Sequence, residues 1–225
     1  MNDSIFRRVE IKYLISKDKK DELLELISDN LVKDDYYESH ISNIYFDNVN
    51  NDLLISSLEK PLYKAKIRLR CYEDDVRDDT NMYLEIKEKY DSVVFKRRVS
   101  LTYNEYKSYM NDGIIKNNQI FKEIDYYFKK YNLQPYVYVN YDRFSYKTVD
   151  NSVRITIDSN LRSSVDNRDF IEYFDGDEYI VEIKLLDAMP LWLTSVLSKL
   201  KIYPTTFSKV GSVYTKIRKE SEIKC

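Results

Sequence analysis

The chain of 225 residues contains one histidine, two cysteines and three glycines. Each scarcity removes a chemistry. With His40 alone there is no HExxH zinc pair, and no Ser–His or Cys–His dyad unless His40 itself serves. Gly113, Gly176 and Gly211 stand far apart, so neither a P-loop nor a GxGxxG turn can form. Any phosphate handled here is held by side chains rather than by a glycine-rich backbone cradle. Cys71 and Cys225 form no CxxC pair or disulfide framework, the usage of a reducing compartment. No run of about 18 apolar residues exists, and MNDSIFRRVEIKYLIS lacks the apolar core of a signal peptide. The expectation is a cytoplasmic protein that does not insert into a membrane by itself. Net charge is −2, from 36 basic and 38 acidic residues, so no whole-molecule field points to nucleic acid.

What is present is alternation. In KAKIRLR, residues 64–70, Lys64, Lys66, Arg68 and Arg70 alternate with Ala65, Ile67 and Leu69. At period two this is a strand with one apolar and one cationic face. The design recurs in Arg8, Glu10 and Lys12; in Glu85, Lys87 and Lys89; in Arg154, Thr156 and Asp158; and in Glu182 and Lys184. Strands are predicted at 5–15, 40–47, 63–72, 82–90, 92–101, 135–149, 152–161 and 178–186. Helices are predicted at 17–31, at 103–131 with a break near Gly113, and from Pro190 to Leu200, with a partly helical piece after Pro204. No linker, low-complexity tract or repeat is visible, so one domain over residues 1–225 is expected, of α+β or mostly-β class with peripheral helices.

Alternate strand residues lie roughly 6.5–7 Å apart. Two like charges at that distance repel by roughly 0.6 kcal/mol in water and about 2.4 kcal/mol at an effective dielectric near 20. On one strand such a run is an ordinary solvated face. Five strands of the same design, with faces of Arg, Lys, Glu and Asp rather than Ser, Thr and Gln, favour a closed barrel with a charged lumen and helices over the apolar exterior. Cations would neutralise a polyanion, and carboxylates would hold a divalent metal bridging its oxygens. Arginine forks suit phosphate oxygens. A chain of phosphates turns the repulsion within KAKIRLR into attraction.

At this point the chain resembles a known family, the VTC-type polyphosphate polymerase domain of the triphosphate tunnel metalloenzyme superfamily, related to CYTH proteins. FRRVEIKYLI, IYFDN, KIRLRCY, LEIKEK, FKRRV, YDRFSY, VRITID, VEIK, PLWL and FSK carry the resemblance, in family order and over nearly the whole chain. It implies an eight-stranded antiparallel tunnel barrel, with transfer of the ATP γ-phosphate to a growing polyphosphate chain, supported by Mn²⁺ or Mg²⁺. It implies phosphate ligands at Lys12, Arg68, Arg70, Lys87, Lys96, Arg143, Arg154, Lys184 and Lys209, neutral hydrogen bonds from Tyr141 and Ser208, and the principal metal ligand at Glu182. Lys12, Arg68, Arg70, Lys87, Arg154 and Lys184 are the expected catalytic set. Glu10, Glu85 and Asp158 either support the metal or pair with neighbouring cations. Arg8 stands where the CYTH branch has an acid, which disfavours the CYTH hydrolase reading, and Thr206 stands where a lysine is expected in the eukaryotic polymerases. The expected partners are ATP and inorganic polyphosphate or tripolyphosphate, with a membrane partner left open. Two alternatives remain: a tripolyphosphatase or nucleoside triphosphatase in the same tunnel, and a non-catalytic polyphosphate or nucleotide sensor.

Overall fold

A computed structural model describes residues 9–215, apart from residues 60, 74, 92, 114, 115, 166, 175 and 176. Arg8, Gly176 and Cys225 lie outside the described residues. In chain order the elements are β1 (Val9–Ser16), α1 (Lys17–Ile27), β2 (Val32–Asp47), α2 (Asp52–Leu58), β3 (Tyr63–Cys71), β4 (Asn81–Tyr90) and β5 (Val93–Thr102). They continue with α3 (Tyr103–Asp112), α4 (Gln119–Tyr131), β6 (Gln134–Lys147), β7 (Val153–Ser164), β8 (Ile171–Glu172), β9 (Glu178–Leu185), α5 (Leu191–Lys199) and β10 (Pro204–Thr205). Residues 209–215 are again helical.

The fold is α+β, an antiparallel sheet with peripheral helices. Its hydrogen-bonded order is β10-β1-β9-β7-β6-β2-β3-β4-β5, with β8 on β7. Eight strands are long and two, β8 and β10, have two residues each. Among the described residues the path runs from β10 to β5 without returning, so the closed barrel that the sequence suggested is not shown.

The chain forms two compact units interleaved in sequence. One comprises Met1–Ser39, Tyr141–Leu161 and Glu172–Phe207; the other comprises His40–Asn140, Arg162–Ile171 and Ser208–Cys225. In the first, Tyr13 and Ile15 of β1, Val181, Ile183 and Leu185 of β9 and Val153, Ile155 and Ile157 of β7 share one core with Leu23, Ile27, Leu193 and Leu197 of the two helices. The helical residues recur every three or four positions, which turns one face of α1 and α5 to the sheet. Each such aliphatic side chain, once buried, stabilises by about 1.5–3 kcal/mol.

In the second unit Ile67, Leu69, Leu84, Ile86, Val99 and Leu101 form the equivalent apolar face, under Tyr106, Tyr109, Phe121, Ile124 and Phe128 of α3 and α4. Thr102 and Glu105 make a reciprocal capping box at the start of α3, and Gly113 ends it in the left-handed region at φ 67°. The IYFDN segment proves to be a capping device. The Asp47 carboxylate accepts the backbone N–H groups of Leu53 (3.1 Å) and Leu54 (2.8 Å), and Asn48 Oδ1 accepts that of Asp52 (3.1 Å). Together they satisfy the first turn of α2, whose own N-cap residue, Asn51, makes no side-chain capping bond.

Candidate functional site

The face opposite each core carries the charges, and register sorts them into cross-strand rows. In the first unit Glu10, Lys184 and Arg154 form one row and Lys12, Glu182 and Thr156 the next. Glu182 is the centre. Its Oε1 lies 2.6 Å from Lys184 Nζ and its Oε2 3.8 Å from Lys12 Nζ. Burial raises its pKa, but Lys184, Lys12 and Arg143 outweigh that and hold it well below the usual carboxylate range. Lys12 also lies 3.6 Å from Glu10. Next to this centre Arg143 forks onto Asp158, donating Nε to Oδ1 at 2.6 Å and a terminal nitrogen to Oδ2 at 2.8 Å. Its guanidinium also stands over the ring of the buried Tyr141. Burial works against the Arg143 charge, and Tyr141, Asp158 and Glu182 together raise its pKa well above the ordinary arginine value.

In the second unit the rows are Asn43, Arg70, Tyr83 and Ser100; then Tyr45, Arg68, Glu85 and Arg98; then Lys66, Lys87 and Lys96; then Lys64, Lys89 and Val94. Glu85, 1% exposed, is the centre here. Two nitrogens of Arg68 reach its Oε2 at 2.6 Å, and Lys96 Nζ reaches its Oε1 at 2.8 Å. Burial raises the Glu85 pKa, yet Arg68, Lys96 and Arg70 bring it down to about 2. The same crowding acts on its partners. Burial, with repulsion from Arg68 and Arg70, brings Lys96 down to about 8 despite Glu85. Burial raises the Tyr45 phenol, but Arg68, Arg70 and Lys66 bring it to about 8. Arg70 is buried and donates Nε to Asn43 Oδ1 at 2.9 Å. Arg98 stacks on Tyr83, with the guanidinium 4.8 Å from the ring centroid. Arg97 faces the other way, onto Glu88 and Glu123.

The expected residues therefore fall into two groups. Lys12, Glu10, Tyr141, Arg143, Arg154, Asp158, Glu182 and Lys184 meet in the first unit, and Arg68, Arg70, Glu85, Lys87 and Lys96 in the second. Ser208 joins the second group, accepting from Lys66 Nζ at 3.2 Å, and Lys209 opens the helical segment 209–215. Arg154 shares its row with Lys184, but its Nε lies 2.7 Å from Asp34, a residue the sequence did not single out. Lys147 pairs with the same carboxylate at 3.6 Å. Asn43 and Tyr45 also escaped notice, although their alternation within ISNIYFD places both on the charged side. Among the described residues the buried Thr156 hydroxyl has no hydrogen-bond partner, and Thr156 is paired in register with Glu182. Among the described residues no three His, Cys, Asp or Glu side chains converge as a metal cage. Glu182 with Thr156 could offer a hard divalent cation one carboxylate and one hydroxyl.

A family model of the VTC domain matches residues 7–216. The chain belongs to the VTC domain family. Among solved structures, this VTC domain is similar to a candidate adenylate cyclase of Bacillus halodurans, at a TM-score of 0.57 and 13% identity over 89% of this chain and 93% of that one. It is also similar to a candidate adenylate cyclase of Vibrio parahaemolyticus, at a TM-score of 0.54 and 11% identity over 93% and 98% of the two chains. At such identities the likeness is one of fold alone. No curated protein matches in sequence. No helix among the described residues is long and apolar enough to cross a membrane.

Proposed function

We propose that this VTC domain is a metal-dependent polyphosphate polymerase that transfers the γ-phosphate of ATP to a growing inorganic polyphosphate chain. The observation that carries the reading is the pair of acid-centred cation clusters, each holding arginine and lysine on one sheet face. Family membership supports a polyphosphate-related function; the polymerase step is the finer proposal, as is closure of the eight long strands into a tunnel around the chain.

The terminal phosphate of the acceptor chain attacks the γ-phosphorus of ATP. A P–O bond forms, the bond to the β-phosphate oxygen breaks, and ADP leaves. The attacking oxygen is already ionised, so no general base is needed, and His40 has no role. Arg68 and Arg70, with Lys87 and Lys96, neutralise non-bridging oxygens of the transferring group. Lys12, Arg143, Arg154 and Lys184 do the same for the flanking phosphates, with Tyr141, Ser208 and Lys209 as further ligands. A bound phosphate replaces Glu85 and Glu182 as the partner of these cations. Glu182 would hold Mn²⁺ or Mg²⁺ better than Glu85, because Lys12 stands 3.8 Å from its Oε2, whereas the cations paired with the two Glu85 oxygens stand at 2.6 and 2.8 Å. The metal would supply charge neutralisation between phosphate oxygens.

Purified protein with ATP and Mn²⁺ should yield ADP and acid-insoluble polyphosphate, and Arg70→Ala should lose at least about 100-fold of that turnover. Free phosphate without polymer would instead establish a hydrolase. Metal-dependent tripolyphosphate binding without turnover would establish a sensor.

A further inference from the structure

A buried hydroxyl without a hydrogen-bond partner is rare in a folded protein and has a physical reason where it occurs. Thr156 is 1% exposed, and among the described residues its Oγ1 has no partner. Ile155 and Ile157 turn to the core, so Thr156 lies on the charged face of β7 with Arg154 and Asp158. Both of those are engaged. Arg154 Nε lies 2.7 Å from Asp34, and Arg143 forks onto the two Asp158 oxygens at 2.6 and 2.8 Å. A valine has the same branching as threonine and suits a strand equally well, without a polar group to satisfy.

Register gives this hydroxyl its neighbour. Thr156 is paired with Glu182, and directly paired residues share a face with their Cβ atoms roughly 4.5–5.5 Å apart. Glu182 is itself buried. Its Oε1 meets Lys184 at 2.6 Å, whereas Lys12 stands 3.8 Å from its Oε2, beyond hydrogen-bond length. Carboxylate and hydroxyl are both oxygen ligands of the hard kind that divalent cations take. Mg²⁺ characteristically keeps several waters and binds through one or two protein groups together with phosphate. Asp158, the next acid on the same face, is held at both oxygens by Arg143.

We propose that the Thr156 hydroxyl is a second protein ligand of the divalent cation at Glu182, one that supplies an oxygen without adding negative charge. This rests on the metal-dependent reading of Glu182 and adds a residue to it. The neutrality has a consequence for the cations nearby. A carboxylate at this position would draw Lys12 or Lys184 onto itself, as Asp158 draws Arg143, whereas a hydroxyl leaves the lysines to the phosphate.

The test reads binding rather than turnover. Tripolyphosphate is titrated calorimetrically into the full chain with Mg²⁺, with Mn²⁺, with Cd²⁺, and with a chelator in place of metal. Wild type should bind more tightly with Mg²⁺ or Mn²⁺ than with the chelator. Thr156→Val should shrink that metal-dependent gain at least about tenfold, the scale on which metal sites respond to loss of an oriented partner, and leave metal-free affinity within about twofold. Thr156→Ser should restore the gain. Thr156→Cys should reverse the metal order, weakening Mg²⁺ and favouring the sulfur-seeking Cd²⁺. Without metal or phosphate, Thr156→Val should melt no lower than wild type, since it removes a buried hydroxyl that the fold leaves without a partner. A lower midpoint would show a partner within the fold and overturn the assignment. Loss of the gain in Thr156→Val with no change of metal order in Thr156→Cys would overturn ligation in favour of positioning. An unchanged gain in Thr156→Val, with Glu182→Gln abolishing it, would overturn Thr156 and leave Glu182. No gain in wild type would overturn the metal reading itself, and no binding of tripolyphosphate the polyphosphate reading.

Discussion

The two units solve one problem in two ways. Each buries a glutamate on the charged face of its sheet and surrounds it with cations. Glu85 is gripped by an arginine fork at one oxygen and a lysine at the other, both at close range. Glu182 is gripped by Lys184 at 2.6 Å, while Lys12 stands off at 3.8 Å and the paired Thr156 hydroxyl has no hydrogen-bond partner among the described residues. Both acids have a depressed pKa, so the pKa alone does not separate them; the distance of the second cation does, with Lys96 2.8 Å from Glu85 and Lys12 3.8 Å from Glu182.

The largest effect should come from exchanging the two acids in turn. Glu182→Gln should reduce metal-supported ADP formation on the order of 100-fold. Glu85→Gln should act mainly on the fold, costing about 2 kcal/mol, the low side for a buried pair because Arg68 and Lys96 retain solvent. Saturating tripolyphosphate should recover much of that loss, since ligand at about 100 times its Kd stabilises by about 2.7 kcal/mol. Equal loss of metal dependence in both variants would break the distinction. Acid should act on both centres in the same direction. Each glutamate has its folded pKa depressed, so its stabilisation is complete above the ordinary value near 4.3 and fades as pH falls towards the folded one.

A smaller effect is expected at Arg143, which has no counterpart beside Glu85. Arg143→Lys keeps the charge but loses the fork onto Asp158, and should lower stability by about 1 kcal/mol, read as a shift in thermal midpoint. No shift would mean that the charge rather than the fork holds this corner of the first unit.

The smallest effect is a pH dependence confined to the second unit. Lys96 and Tyr45 both titrate near 8, and an anion binds best when both are protonated. Tripolyphosphate affinity should therefore fall as pH rises through about 8, by at most about tenfold per unit for each proton taken up. Lys96→Arg should remove the lysine share and leave that of Tyr45. Stability moves the other way. The unfolded chain holds the Lys96 proton above pH 8 while the fold releases it, so this lysine adds stability as pH rises from about 8 towards its unfolded value.

Much of this was legible in the sequence because the strand period is local. KAKIRLR, LEIKEK and VEIKL each declare their two faces without help from the rest of the chain, and β3, β4 and β9 follow them to within a residue or two. The first half of β2 did not declare itself. VKDDYYESH has no apolar alternation, because both of its faces are largely wet there. Asp34, which engages Arg154, lies in that silent stretch. Arg97 and Arg98 sorted correctly, to opposite faces, from alternation alone.

The sequence by itself determined most of the strands and which face of each is charged. These follow from periods of two and 3.6, all within a few residues of chain. Only the tertiary structure decided which charge meets which: Glu85 with Arg68 and Lys96, Arg154 with Asp34, Glu182 with Lys184 beside Thr156, and five lysines in adjacent rows. Those pairings depend on register between strands distant in sequence. Register is set by how the apolar faces seat against their helices, an outcome of packing that no short stretch of sequence contains.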